Sequence, residues 1–163
     1  MRIDFIYAKA CNHSQLSLIW GRLECGDNDV RLTRAAEYGF RAMRYLCNQP
    51  SGEWASTQEI ASAEEVPPQF LAKVIQHLVQ AQLLESSYGK NGGHRLARPA
   101  NEITVGDILT AIEGPIVLNR CLHNPRHCGF SSTCMMHPIW GELQDTMNEI
   151  LARHTLKELA QPA

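Results

Sequence analysis

Apolar residues return every three or four positions in five stretches of the chain, which is the spacing that one face of a helix requires. The predicted helices span residues 33–47, 57–65, 69–81, 104–112 and 139–160. Thr33, Thr57 and Thr104 are the expected N-terminal caps, since a threonine hydroxyl can accept from a free backbone N–H there. Cys47 ends the apolar stripe of the first helix, and we expect it to be a buried thiol because free cysteine is commonly buried.

The second and third predicted helices are short, and Pro67 and Pro68 separate them. Proline is favoured in the first turn of a helix, so the pair ends one helix and opens the next. Phe70, His77 and Leu78 fall on the predicted buried face of the third helix. Two short helices around a tight turn are typical of a helix-turn-helix, whose second helix can lie in the major groove of DNA.

Residues 83–96 contain two short segments around a glycine-rich tip. This pattern predicts a β-hairpin, the wing of a winged helix-turn-helix. The hairpin carries Lys90, Asn91, His94 and Arg95, whose side chains suit contact with phosphates or with the minor groove. It is not a nucleotide-binding loop, because it lacks the Gly-Lys-Ser/Thr ending and opens no helix.

The last predicted helix carries one continuous apolar ridge. Its members are Ile139, Leu143, Met147, Ile150 and Leu151, continued by Leu156 and Leu159. A small winged domain leaves such a ridge with little of its own chain to cover, so the ridge predicts a dimerisation helix. The predicted fold is mainly α with a small β wing, a winged helix-turn-helix plus a long dimerisation helix.

Composition and charge are those of a soluble globular protein, with 163 residues of which 44% are apolar and 20% charged. The net charge is −2, but residues 67–98 carry four basic against one acidic side chain, whereas residues 99–163 carry four against seven. We expect a cytoplasmic protein with no membrane partner, because the chain shows no membrane-spanning apolar run and no signal-peptide pattern. Its six cysteines are then expected to be reduced.

Residues 120–140 hold Cys121, Cys128 and Cys134, half of all the cysteines, together with three histidines. This segment has little apolar periodicity, so burial cannot offset the entropy lost in ordering it. Thiolates beside imidazoles indicate a soft metal ion or an iron–sulfur cluster. Structural zinc is an alternative, although zinc sites usually use closely spaced cysteine pairs, which this loop lacks. Disulfide formation or coincidence is the third interpretation.

Three further motifs accompany the cysteine loop and the long helix after it: RLTRAAEYGFRAM, GGHRLARP and ITVGDILTAIEGP. Together they resemble the IscR/NsrR family of iron–sulfur transcriptional regulators, over about residues 30–160. The resemblance implies a homodimeric bacterial regulator of a double-stranded DNA operator. Residues 1–30 have no counterpart, and we expect them to form an extension. A DNA-binding domain over 31–99 is then expected, followed by the linker helix, cluster loop and dimerisation helix over 100–163.

By this resemblance, Cys121, Cys128 and Cys134 would bind a 2Fe–2S or 4Fe–4S cluster. The fourth ligand of IscR-like members is a histidine separated by two residues from the third cysteine, which corresponds to His137. In NsrR-like members it is an acidic residue near the start of the first helix of the partner subunit, which corresponds to Glu37. We favour His137 because it lies in the same loop as the cysteines. The gap between the first two cysteines is one residue longer than the common pattern, so the ligand set stays open.

The resemblance also implies that residues at the start of the recognition helix read base edges. Ala72 stands where IscR-like members often have an acidic residue, and Tyr88 stands where the family has a wing arginine, which predicts a different operator. The expected DNA-facing residues are Thr57, Gln69, Lys73, Gln76, Tyr88, Lys90, Asn91 and Arg95.

The sequence therefore predicts a DNA-binding regulator, expected to be a repressor, whose affinity depends on a cluster that senses nitric oxide, redox state or iron–sulfur status. A winged-helix regulator with a structural zinc site is one alternative. An iron–sulfur electron-transfer protein is another. An enzyme is not expected, because no Ser–His–Asp set, no pair of catalytic carboxylates and no nucleotide loop stands out.

Overall fold

Thr33 begins the described part of the chain and caps its first helix. The computed structural model describes residues 33–50, 52–89, 92–124, 128–130 and 132–160. Helix α1 (Arg34–Cys47) starts after Thr33, whose hydroxyl accepts from the Ala36 N–H at 3.3 Å as expected. Lys90, Asn91 and the expected N-terminal extension lie outside the described residues.

Helices α2 (Thr57–Ala63) and α3 (Pro68–Gln80) form the predicted helix-turn-helix. The cap of α2 is Ser56 and not Thr57, so that detail of the prediction is wrong. The Ser56 hydroxyl accepts from the Glu59 N–H at 3.2 Å, and the Ser56 N–H donates to the Glu59 carboxylate at 2.6 Å. This reciprocal pair, a capping box, satisfies two helix-end donors at once.

Helix α3 buries a narrower face than the sequence predicts. Its buried residues are Leu71, Val74, Ile75 and Leu78. Phe70 is 59% exposed and His77 is also exposed, so the prediction that both are packed is wrong. Phe70 and His77 are seven positions apart and lie on the same flank of the helix, beside the stripe that meets the core.

Strands β1 (Leu84–Ser87) and β2 (Gly93–Leu96) form the predicted antiparallel wing. Ala55 joins the wing as an isolated bridge, exchanging backbone hydrogen bonds of 3.0 and 2.8 Å with His94. A Cβ at Gly93 would collide with the Ala55 carbonyl, so only glycine allows this close approach.

A single 3₁₀ turn (Ala100–Glu102) leads into helix α4 (Val105–Glu113). Thr104 caps α4 as expected, since its hydroxyl accepts from the Asp107 N–H at 3.0 Å. Within the cysteine loop lies a short helix that the sequence did not predict, α5 (Arg120–His123).

The single helix predicted over 139–160 is two helices, α6 (His137–Arg153) and α7 (Leu156–Ala160). His154 takes an extended conformation between them. The chain turns there because Leu156 is buried in the core, with its N–H donating to the Ile103 carbonyl at 2.8 Å. Leu156 therefore does not continue the exposed ridge.

The largest fully buried side chains form one core. They are Met43, Ile60, Leu71, Leu78, Leu83, Ile103, Ile108 and Leu156. The division expected between residues 99 and 100 stays a prediction, and this core draws on both sides of it. None of the helices in the described residues is long and apolar enough to span a membrane.

Candidate functional site

A groove of about 600 Å³ separates α3 from the wing. Thr57, Gln76 and Tyr88, three of the expected DNA-facing residues, line it. Tyr88 is fully exposed at the end of β1, where its ring projects from the wing. We call this space the recognition groove. It brings the start of α2, one face of α3 and the wing to one surface.

Gln69 and Lys73 are exposed on α3, on the same side of the helix as Gln76 at helical spacing. Lys73 also lines a second cavity of about 520 Å³ between α1, α3 and α4, together with Phe70 and His77. The exposed polar stripe of α3 thus continues from the recognition groove to this neighbouring surface.

Arg95 lies on the opposite face of β2 from the recognition groove, because successive strand residues point to opposite faces. Its Nε and Nη2 atoms donate to the Glu85 carboxylate at 2.9 and 2.8 Å. Its guanidinium also lies over the Trp54 ring, 4.4 Å from the centroid. These contacts anchor the wing. Sequence reasoning missed Trp54, since a single tryptophan in a turn carries no periodic signal.

His94 occupies the wall of the recognition groove. Its Nε2 lies 3.0 Å from Thr57 Oγ1 and its Nδ1 lies 2.8 Å from Ser86 Oγ. Burial lowers the pKa of His94 below its ordinary value, because the charged ring loses hydration. The strand register brings Ser86 opposite His94, a pairing that depends on the length of the turn.

Cys121, Cys128 and Cys134 are free thiols, each half-buried. Cys121 lies on α5, and Cys134 precedes α6. The Cys134 carbonyl accepts from the His137 N–H at 3.1 Å, so Cys134 and His137 share one turn at the start of α6. His127, a further histidine of this loop, lies outside the described residues.

In the part of the chain that the structure describes, no three His, Cys, Asp or Glu side chains come close enough together to hold one metal ion. The donor set nevertheless fits an iron–sulfur cluster or a soft metal. Among the described residues, the buried Nδ1 of His137 has no hydrogen-bond partner, and an imidazole nitrogen that carries no proton is a ready metal ligand. Metal binding commonly orders ligands that are apart without the metal.

Gln144 of α6 ties the segment before the cysteine loop to the long helix. Its side-chain oxygen accepts from the Leu118 N–H at 2.8 Å, and its nitrogen donates to the Ile116 carbonyl at 2.9 Å. The loop is therefore attached to α6 at both of its ends. Nothing in the helical pattern of the sequence distinguishes Gln144 from other polar residues of α6.

Glu37 is exposed in the first turn of α1, with its carboxylate 2.5 Å from Arg41. Glu37 lies on α1, which is separate from the elements that carry the three loop cysteines. Cys47 is half-buried and packs on the core, so the prediction of a core thiol is confirmed only in part. Burial raises the pKa of Cys47, which keeps it a protonated thiol.

These features define a winged helix-turn-helix protein with a free-thiol loop that leads into a long helix. The model of the Rrf2 family, described as an iron-dependent transcriptional regulator, matches residues 32–162. The chain therefore belongs to the Rrf2 family, and the protein is a DNA-binding transcriptional regulator.

Named relatives agree with this assignment. The chain is 34% identical over 131 residues to a helix-turn-helix type transcriptional regulator of Mycobacterium tuberculosis, covering 80% of this chain and 81% of the relative. It is 26% identical to CymR, the global cysteine regulator of B. subtilis, with a TM-score of 0.65 over 80% of this chain and 96% of CymR. IscR of T. potens is also 26% identical, with a TM-score of 0.64 over 83% and 93% of the two chains. The predicted family resemblance and fold class are confirmed.

Proposed function

We propose that this regulator binds an operator in double-stranded DNA as a homodimer, and that an iron–sulfur cluster in the cysteine loop controls its affinity. The observation that carries the proposal is the combination of three free thiols in one loop with the buried Nδ1 of His137, for which the described residues offer no hydrogen-bond partner. Repression is the expected action, in the cytoplasm where the operator lies.

Cys121, Cys128 and Cys134 would hold the cluster through sulfur, and His137 would be the fourth ligand, with Glu37 of a partner subunit as the alternative. When bound, the cluster would supply a centre that responds to nitric oxide, redox state or iron–sulfur status. The chain's own part is to keep the loop attached to α6. Gln144 does this at one end of the loop and the Cys134–His137 turn does it at the other.

A path of packed helices connects this loop with the DNA-binding face. Helix α6 packs on α4, and α4 packs on both α1 and α3. Helices α4 and α6 lie close together at Gly106, since a Cβ there would lie 3.4 Å from the Leu151 Cβ, at ordinary van der Waals distance. A change in the order of the loop would therefore alter how α6 rests on α4 and how α3 is presented to DNA.

The exposed ridge of α6 supports a homodimer. Ile139 and Leu143 are each 48% exposed and Ile150 is 46% exposed, and α6 has no fully buried residue. A second copy of this helix would cover the ridge and would set the spacing between two α3 helices. Two half-sites of DNA must then match that spacing, so that small shifts between subunits weaken binding.

Substitution of Cys128 by alanine tests the proposal. In protein purified without oxygen, we expect the wild type to be coloured and to contain iron and sulfide, and Cys128→Ala to lose most of both. Redox-dependent binding to a labelled duplex should be lost in the same variant. Cys47→Ala is the matched control, because Cys47 is a free thiol outside the loop.

Three results would contradict parts of the proposal. A colourless wild type that holds zinc would indicate a structural zinc site and no cluster. Unchanged redox-dependent DNA binding by Cys128→Ala would show that the cysteine loop does not control DNA affinity. A coloured protein whose duplex binding did not weaken with salt would be an electron carrier instead.

A further inference from the structure

His94 joins the wing to the helix-turn-helix through both nitrogens of its ring. Nδ1 meets Ser86 Oγ across the hairpin, and Nε2 meets Thr57 Oγ1 at the start of α2. The backbone of His94 is fixed as well, by its two hydrogen bonds with Ala55. The three side chains form one hydrogen-bonded chain along the wall of the recognition groove.

The number of protons on the ring decides what the two hydroxyls can donate. A neutral imidazole carries one N–H, so its other ring nitrogen must accept a hydrogen bond from one of the two hydroxyls. The O–H of that hydroxyl is then already used and cannot donate to a phosphate oxygen. A doubly protonated ring donates from both nitrogens, and both hydroxyls keep their protons for phosphate acceptors.

The charged side chains on the elements next to His94 have hydrogen-bond or ion-pair partners other than its ring. Among the described residues that line the recognition groove, the titratable side chains are His94 and Tyr88. On α2, the Glu59 carboxylate accepts from the Ser56 N–H at 2.6 Å. On the strands, Glu85 and Arg95 pair with each other on the opposite face. No described carboxylate therefore lies in the groove to stabilise a positive ring before DNA arrives.

We propose that His94 is a positioning residue for phosphate recognition, and that DNA binding is accompanied by uptake of one proton at its ring. The proposal rests on the DNA binding argued above. It assigns Thr57 and Ser86 as the two hydroxyl donors to a backbone phosphate. Because phosphate contacts carry no sequence information, the effect belongs to operator and non-operator duplexes alike.

The direction of the pH effect follows from two pKa values of His94. In the free protein, burial keeps the pKa of His94 below its ordinary value, so the ring is neutral near neutral pH. A bound phosphate raises that pKa, because its negative charge and its demand for two donors favour the protonated ring. The DNA-bound form then holds more protons, so affinity rises as the pH falls between the bound and the free pKa.

Anisotropy of a labelled mixed-sequence duplex at low salt, from about pH 6 to about pH 8, measures this effect. We expect wild-type affinity to fall with rising pH, by at most about tenfold per pH unit for one proton. His94→Gln keeps a donor and an acceptor but cannot titrate, so its slope should be smaller. His154→Gln is the matched control, because His154 is an exposed histidine outside the recognition groove, between α6 and α7, with its Nδ1 3.2 Å from the Glu158 carboxylate.

Equal slopes in the wild type and His94→Gln would overturn the inference and leave DNA binding intact. Absence of any salt-sensitive binding by the wild type would instead overturn the proposed function, and this inference with it. A second measurement uses the wild-type protein alone, so it does not depend on whether a variant folds. Proton NMR of the wild-type His94 ring should show a higher pKa with duplex than without, and an unchanged or lower pKa would contradict the proposal.

Discussion

Two histidines of this chain illustrate how surroundings decide the role of a single side chain. Both ring nitrogens of His94 have hydroxyl partners, whereas the buried Nδ1 of His137 has none in the part of the chain that the structure describes. A buried polar group left unpaired costs about 1–3 kcal/mol. A bond to a metal would remove that cost at His137, so the unpaired nitrogen is the stronger argument for His137 over Glu37, whose carboxylate already pairs with Arg41.

Substitution of the two candidate fourth ligands distinguishes them. We expect His137→Ala to lower the iron and sulfide content and to change the visible spectrum of protein purified without oxygen. Glu37→Gln should leave both unchanged, because Glu37 is not the ligand if His137 is, and an amide of the same shape removes only the charge that a carboxylate ligand would need. The opposite pattern, with colour lost in Glu37→Gln alone, would assign the ligand to the partner's first helix.

The elements of the fold depend on contacts at their ends as much as on their periodicity. The wing rests on the backbone of Ala55 because Gly93 has no side chain to hold β2 away from the Ala55 backbone. Helix α6 ends at Arg153 because Leu156 enters the core beside Ile103. In both cases one small contact between distant residues fixes where a secondary-structure element lies.

Replacing Gly93 by alanine should detach the wing from Ala55. A Cβ would meet backbone atoms, which cannot turn aside as a side chain can, and crowding of this kind costs roughly 1–3 kcal/mol. We expect a lower melting temperature and weaker binding to a labelled duplex. Gly141→Ala is the control, because a Cβ there meets no atom within 4 Å and alanine favours the helix. Equal effects of both changes would argue against the role of the close approach.

At the scale of the whole molecule, α6 exposes an apolar ridge that the core formed by the described residues leaves uncovered. The core takes Leu156 from beyond the helix but no residue of α6 itself. Burial of apolar side chains is worth roughly 25 cal/mol per Å². A second copy would gain this energy along the ridge, and the dimer would hold two recognition surfaces at one distance.

Leu143→Glu should convert a dimer into monomers. Leu143 is 48% exposed, so the charge can remain in water within one chain but would be buried between two. Sedimentation at a set concentration should show a lower mass, and duplex affinity should fall because two half-sites are no longer bound together. Glu142→Gln, at the neighbouring exposed position, should keep the mass of the dimer and its duplex affinity. A monomeric wild type would contradict the dimer directly.

Much of the architecture could be predicted from local pattern, because caps, prolines and apolar spacing act within a few residues. Thr33 and Thr104 cap their helices, and the hairpin forms where glycines interrupt two short strands. The predictions of burial were wrong where several apolar positions of one helix compete for contact with distant elements. Phe70 and His77 fit an apolar face by spacing, but α1 and α4 pack on the neighbouring side of α3.

The sequence alone determined the helix-turn-helix, the wing and the cysteine-rich loop, since each depends on residue types at short spacing. Only the tertiary structure decided that His94 bridges Ser86 and Thr57, that Arg95 is held by Glu85 and Trp54, and that α6 is interrupted at His154. These features join residues far apart in the chain. Their partners are selected by packing in three dimensions, which no local pattern encodes.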